Sequence, residues 1–152
     1  MDNKMSIRKI YLHSAYNCNA NCIHCAVPTR DETIRVNSNK YHLRALKELD
    51  TASENSVECL IIRDGEPLLR PSIYDMIEYA KSSNIKVKAE TNGFLLNEQK
   101  LQRLRGNVYQ LCISLDGANP QTHNQIRRVD LYKNTTTYSI KRAREIGIDV
   151  AI

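Results

Sequence analysis

Five short apolar segments, each bordered by polar turns and separated by helical stretches, constrain this chain more than any other feature. Residues 8–14 (RKIYLHS) alternate and carry Ile10 and Leu12. Residues 57–62 (VECLII) are β-branched and nearly all apolar, as in a strand covered on both faces. Residues 85–90 (IKVKAE) alternate again, 110–117 (QLCISLDG) run into a turn, and 148–152 (IDVAI) begin a fifth strand. Between them, residues 41–52 place Leu43, Leu46 and Leu49 at helical spacing, with Ala45 and Ala52 close to the same face. Residues 72–83 put Ile73, Met76, Ile77 and Ala80 on one helical face, with Ser72 as the expected N-cap. Asn97 is placed to cap a helix over 97–106, and Gly147 sits at the C′ position of a helix over 134–147.

This alternation predicts βαβ units and a parallel sheet. Two architectures satisfy it, an open doubly wound sheet and a β/α barrel. In an open sheet the chemistry concentrates at one switch point; in a barrel it gathers from the loops after many strands. Here the cysteine-rich stretch, "DGEP", "TNG" and "SLDG" each follow a strand, so a barrel is expected. The fold class is α/β, a partial (β/α) TIM-like barrel with about four complete βα units plus the start of a fifth strand. A whole barrel takes roughly 200 residues or more, and this chain has 152. Residues 1–152 are therefore expected to form one core domain, truncated at its C-terminal end, where the last apolar strand leaves an unpaired edge.

Apolar residues make up 41% and charged residues 26%, the balance of a soluble domain with a real core. The net charge of +5 fits a solvated basic surface or an anionic partner. With no Trp and one Phe there is no strong nucleic-acid signal. No apolar run approaches the roughly 20 residues that span a bilayer, so no membrane partner is expected. The start, "MDNKMSIRK", lacks the apolar stretch of a signal peptide. The expected compartment is cytoplasmic, where clustered thiols stay reduced and read as metal-binding or redox groups.

Cys18, Cys22 and Cys25 fall within eight residues as C-x-x-x-C-x-x-C. A closed zinc site wants four ligands. His24 is the nearest candidate for the fourth, but it adjoins Cys25, and neighbouring residues rarely turn to one tetrahedral ion. An iron–sulfur cubane takes a thiolate at each iron, so three thiolates leave one iron open to a substrate or cosubstrate. Asn17, Asn19 and Asn21 suit the tight turns of a loop that wraps such a group. A zinc-binding module stays open as an alternative at this point. Cys59 and Cys112 lie in apolar strands and read as small buried hydrophobes.

The cysteine motif after a first strand resembles the radical S-adenosylmethionine (radical SAM) superfamily. Three further stretches match in order. "DGEPLL" at 64–69 is similar to the family's Gly-Gly-Glu-Pro motif, with Asp64 in place of the first Gly. "ETNGFLL" at 90–96 is similar to its third-strand turn. "ISLDGANPQTHNQIRR" at 113–128 resembles the fourth-strand stretch of the branch that includes molybdenum-cofactor synthases and peptide maturases. The resemblance implies a [4Fe–4S] cluster on Cys18, Cys22 and Cys25, with S-adenosylmethionine on the open iron. It implies a 5′-deoxyadenosyl radical that takes hydrogen from a peptide or small-molecule substrate, with a reductant protein such as flavodoxin or ferredoxin as electron donor. His24 would lie near the adenine. Gly65 would meet the ammonium end, Glu66 would pair with that charge or with a nearby basic group, and Thr91 and Asn92 would line the methionine or substrate pocket. Ser114 would meet the ribose, and Arg127, or else Arg128, the carboxylate. Asp116 would reach the ribose or fix its own turn. A truncated, non-catalytic iron–sulfur protein is the alternative.

Overall fold

The computed structural model describes residues 8–13, 17–25, 44–51, 57–130, 132 and 136–152. Five parallel strands form one sheet in the order β1-β2-β3-β4-β5: β1 (Lys9–His13), β2 (Cys59–Arg63), β3 (Lys86–Thr91), β4 (Gln110–Ile113) and β5 (Val150–Ala151). Each strand pairs with the next in sequence, from Lys9 against Cys59 to Cys112 against Ala151. A doubly wound sheet reverses its strand order at a switch point; this one never reverses. It is singly wound, as the part of a β/α barrel expected from the placement of the motifs.

The helices are α1 (helical residues 44–51), α2 (Ser72–Ser82), α3 (Glu98–Leu104), α4 (Pro120–Arg127) and α5 (Thr137–Glu145), with a short 3-10 turn at Pro67–Leu69. Residues of α1, α2, α3 and α5 join the apolar core on one face of the sheet, whereas α4 contributes none to it. Leu60, Ile62, Val87, Ala89, Leu111 and Ile113 project from β2–β4 into a single apolar core with Ile73, Met76, Ile77 and Ala80 of α2 and Leu101 and Leu104 of α3. The period-2 and period-3.6 patterns meet there, which is why those residues are buried. Ala45 and Leu49 of α1 join the same core. Leu43, Ala52 and the strand-end residue Ser14 lie outside the described residues.

Local rules account for most of these helix ends, although α5, like α2, starts without a side-chain cap bond. Asn97 caps α3, its Oδ1 accepting from Lys100 N at 2.9 Å. After α5, Gly147 takes φ +85, while its N–H reaches Arg144 O at 3.0 Å and Ile148 N reaches Ala143 O at 2.9 Å. That pair of bonds is the Schellman closure expected of a C′ glycine. Asn84 closes α2 the same way at φ +60. Ser72, expected as the N-cap of α2, is instead its first helical residue. Pro71 occupies the cap position and makes no side-chain cap bond. A proline needs no N–H partner in a first turn, so its ring opens the helix one residue early. Residues 113–128 also hold a helix not expected from sequence, α4, capped by Asn119 Oδ1 accepting from Thr122 N at 2.9 Å.

The core sets a stability scale. Met76 is fully buried at 0% exposure, so Met76→Ala should cost about 2–5 kcal/mol. Lys47→Ala, on the exposed side of α1, should stay within about 0.5 kcal/mol. Paired denaturant titrations check both; equal losses would mean the helix layer is not packed as described.

Candidate active site

Because every strand runs the same way, all their C-terminal ends open at one edge of the sheet. The cysteine loop after β1, Asp64–Glu66 after β2, Asn92 and Gly93 after β3, and Ser114–Gly117 after β4 are brought together there. The resulting site rests on two hydrogen-bonded braces.

The first brace is Glu66. Its side chain is completely buried at 0% exposure. One carboxylate oxygen accepts from Leu68 N at 3.1 Å and Thr91 Oγ1 at 2.7 Å; the other accepts from Asn92 N at 2.9 Å. Its backbone N–H donates to Asn17 O at 3.0 Å. One residue thus ties the loops after β1, β2 and β3. Burial pushes its carboxyl pKa up, and the donors from Asn92, Thr91 and Leu68 oppose that shift. Asn92 extends the brace, its Nδ2 donating to Asn19 Oδ1 at 2.7 Å and reaching Cys18 Sγ at 3.7 Å. From behind, Ser139 Oγ on α5 donates to Gly93 O at 3.3 Å.

The second brace is the end of α4. Arg128 adopts φ +55 and stops the helix. The last carbonyls of a helix have no partner inside it, and here those of Ile126 and Arg127 accept from Ile23 N at 2.9 Å and Asn21 N at 3.3 Å. The cysteine loop therefore docks on a helix end. The Arg127 side chain turns inward, pairs with the Asp116 carboxylate, and places Nη1 3.5 Å from Cys22 Sγ. His123, one turn earlier on the same face, is buried and accepts from Asp116 N at Nδ1, 3.2 Å. Burial, then the Arg127 charge, pushes its pKa down, so the ring is neutral with its proton on Nε2.

The sheet face turned away from the helices is polar. Arg63 lies 3.8 Å and Lys88 3.9 Å from opposite oxygens of Glu90. Cys112 is half-buried on this face, and Lys88 opposes the rise that burial causes in its pKa. Cys112 is thus not the buried hydrophobe expected, whereas Cys59 is buried at 7% exposure. A complete barrel fills its interior with apolar layers; a charged face leaves room for a polar ligand.

The loop after β2 departs from glycine at its first position. Asp64 takes φ +69 and Gly65 φ +58. The left-handed region is costly for a residue with a Cβ, less so for Asp. The Asp64 carboxylate is engaged by His13 Nδ1 and lies 3.5 Å from Arg63 Nε.

Among the expected site residues, Cys18, Glu66, Thr91 and Asn92 share one hydrogen-bonded group and Cys22 and Arg127 a second, while Gly65 adjoins Glu66 in the loop after β2. Ser114 is half-buried, its N–H donating to Thr91 O at 3.0 Å. His24, Cys25 and Arg128 are exposed. Among the described residues, no three His, Cys, Asp or Glu side chains converge on one ion position. The donor chemistry fits a thiolate-ligated group. Cys18 Sγ has Ala20 N at 3.4 Å in addition to Asn92, and Cys22 Sγ has Arg127. Burial pushes the Cys18 pKa up, with the Ala20 N–H opposing it. His123 was missed from sequence. Its four-residue spacing from Arg127, which puts both on one face of α4, was the available signal.

Comparison with known proteins agrees with this geometry. The family profile described as the radical SAM superfamily matches residues 13–152. The AdoMet-dependent heme synthase of Methanosarcina barkeri is 33% identical over 117 residues, which cover 72% of this chain and 31% of that protein. The mycofactocin maturase MftC of Mycobacterium tuberculosis is 30% identical over 114 residues, covering 74% and 28%. The crystal structure of Streptococcus suis SuiB bound to precursor peptide SuiA superposes with a TM-score of 0.80 at 18% identity, covering 96% of this chain and 32% of that one. The chain spans about a third of the length of the curated relatives it matches, 31%, 37% and 39% in three heme synthases.

Two outcomes follow from the loop geometry. With its pKa raised, Glu66 binds its proton more tightly in the folded chain than in the unfolded one. Its contribution is full below the unfolded value near about 4.3 and declines as pH rises through the folded value. Glu66→Gln, which cannot ionise, should flatten this slope in thermal midpoints read at stepped pH; parallel slopes would refute the assignment. At position 64, Asp64→Ala should be about 1 kcal/mol less stable than Asp64→Gly, since both lose the ion contacts and only alanine bears the left-handed cost. Chemical denaturation of the two variants compares them directly.

Proposed function

The chain belongs to the radical SAM superfamily, and from that membership we propose that it carries a [4Fe–4S] cluster on Cys18, Cys22 and Cys25 and starts hydrogen abstraction from a substrate. Cys18, Cys22 and Cys25 would hold the cluster, which would supply the one-electron reduction that cleaves S-adenosylmethionine and so generates the hydrogen-abstracting species. The observation that carries this reading is the gathering of four motif-bearing loops at one sheet edge, with N–H donors beside two of the three thiols. The M. barkeri relative, named AdoMet-dependent, supports the choice of cosubstrate.

The chain's own residues bind and orient. Gly65, with no Cβ and a left-handed φ, lets the backbone approach the ammonium end of S-adenosylmethionine. Glu66 acts as a positioning residue, because its carboxylate is engaged by three internal donors. Thr91 and Asn92 hold the floor of the methionine pocket, and Ser114 offers a hydroxyl to the ribose. His24 covers the adenine side. Arg127 has donors left beyond those used on Asp116 and Cys22 and meets the carboxylate.

The polar face of the sheet is the substrate chamber. A peptide substrate is supported by the maturase relative and by the precursor peptide bound to SuiB; the heme synthases support a small molecule. A low-potential protein such as flavodoxin or ferredoxin would deliver the electron at the exposed Ile23–Cys25 segment, in the cytoplasm. Among the described residues, no helix is long and apolar enough to cross a membrane. Residues 1–152 serve as part of a radical SAM core domain.

Anaerobic loading with iron and sulfide, followed by reductant and S-adenosylmethionine, tests the proposal. The expected product is 5′-deoxyadenosine, resolved by chromatography. A loaded cluster with no cleavage would identify a binding protein instead, and colourless protein with about one zinc per chain would identify a zinc module. Alanine at Cys18, Cys22 or Cys25 should abolish cluster absorbance and iron retention, whereas Cys59→Ala should keep both. Equal loss across all four variants would displace the cluster from this loop.

A further inference from the structure

We propose that Arg127, pinned by Asp116, sets the reduction potential of the cluster through the sulfur of Cys22, a role separate from any contact with S-adenosylmethionine. The inference rests on the cluster assignment above. It starts from the contact between Arg127 Nη1 and Cys22 Sγ at 3.5 Å. Three features make that contact built rather than incidental. The Ile23 and Asn21 N–H groups bond to the Ile126 and Arg127 carbonyls, which fixes Cys22 beside the base of the Arg127 side chain. The Asp116 carboxylate engages Arg127 Nε on the other side, so the guanidinium plane has one orientation. The side chain is only 12% exposed and Asp116 24%, so solvent screens the charge weakly.

His123 completes the support. Its Nδ1 accepts from Asp116 N and sets the position of the carboxylate that sets the arginine. Gly117 leaves room for this arrangement: a Cβ there would stand 2.9 Å from His123 N and 2.8 Å from Thr122 Cβ. The chain of contacts runs from the β4 turn through α4 to one cysteine of three.

The consequence is electrostatic. Taking up one electron, supplied in the measurement by dithionite, adds negative charge that is shared with the cysteine sulfurs, and no proton need move. A guanidinium N–H aimed at one of those sulfurs favours the reduced state and raises the potential. Only the part of this interaction that strengthens on reduction shifts the potential, so removing it should lower the reduced-to-oxidised ratio at a fixed poise severalfold, read as a lower midpoint. Arg127 is in this respect a positioning and tuning residue. Asn92, a neutral donor 3.7 Å from Cys18 Sγ, has a smaller effect of the same sign.

The test is redox titration of the full chain loaded with cluster, without S-adenosylmethionine, at matched iron and sulfide content. The variants are R127Q/D116N, which removes both charges and leaves no orphaned carboxylate, and R127K, which restores the cation. The double variant should titrate at a lower potential than the parent, and R127K should recover part of the difference. Parent and double variant with the same midpoint would overturn the proposal. A double variant that melts like the parent yet takes up no iron would also overturn it, since Arg127 would then serve loading. Failure of the parent itself to load a cluster would refute the proposed function instead.

Discussion

A carboxylate with no exposed surface has to be surrounded by donors, and the donors around Glu66 come from the functional end of the sheet. Leu68 belongs to the same loop, Thr91 and Asn92 to the end of β3, and Asn17, which accepts from the Glu66 N–H, to the cysteine loop. An unpaired charge at this depth would cost far more than an ordinary hydrogen bond contributes. The loops after β1, β2 and β3 therefore hold their relative positions or leave a buried acid without partners. Site geometry and fold stability depend on the same atoms.

The sheet makes that arrangement possible. Strands paired in sequence order, all parallel, bring every strand end to one side. Alternation then divides the side chains between an apolar face under the helices and a polar face opposite. On β3 the split is complete: Val87 and Ala89 enter the core, while Lys88 and Glu90 lie on the other face with Arg63. The parallel ladder therefore builds a packed layer and a charged face from the same residues.

Much of this was legible in the sequence because the relevant signals are local and periodic. Ile73, Met76, Ile77 and Ala80 repeat at helical spacing, and all are buried. Gly147 closes α5 as its position implies. The barrel-like order followed from where polar stretches fall after strands. What stayed hidden was the partner of each polar group. Glu66 reads from sequence as a ligand for a cationic group, yet its side chain satisfies three N–H and O–H groups from within. Nothing near Asp116 announces that Arg127, eleven positions on, will neutralise it. Ser72 misled because a local preference for serine caps yielded to the proline before it. Local rules assign elements well; long-range hydrogen bonds are settled only when the elements pack.

The cysteine loop shows why those long-range bonds matter. Of its described residues only Ala20 is buried, so apolar packing contributes little to its shape. Its backbone is held instead by Asn17 O accepting from Glu66 N, and by Asn21 N and Ile23 N donating to the end of α4. A loop held this way takes its geometry from its neighbours. Its cysteines keep their spacing as long as the β2 turn and the α4 terminus keep theirs, and Arg128 at φ +55 fixes that terminus. The left-handed residue has a cost of about 1–2 kcal/mol, offset by two helix carbonyls that would otherwise lack partners. Strain at one exposed arginine is thereby linked to the placement of Cys22, and the fourth-strand stretch takes part in holding the cysteine loop although none of its residues is proposed to ligate iron.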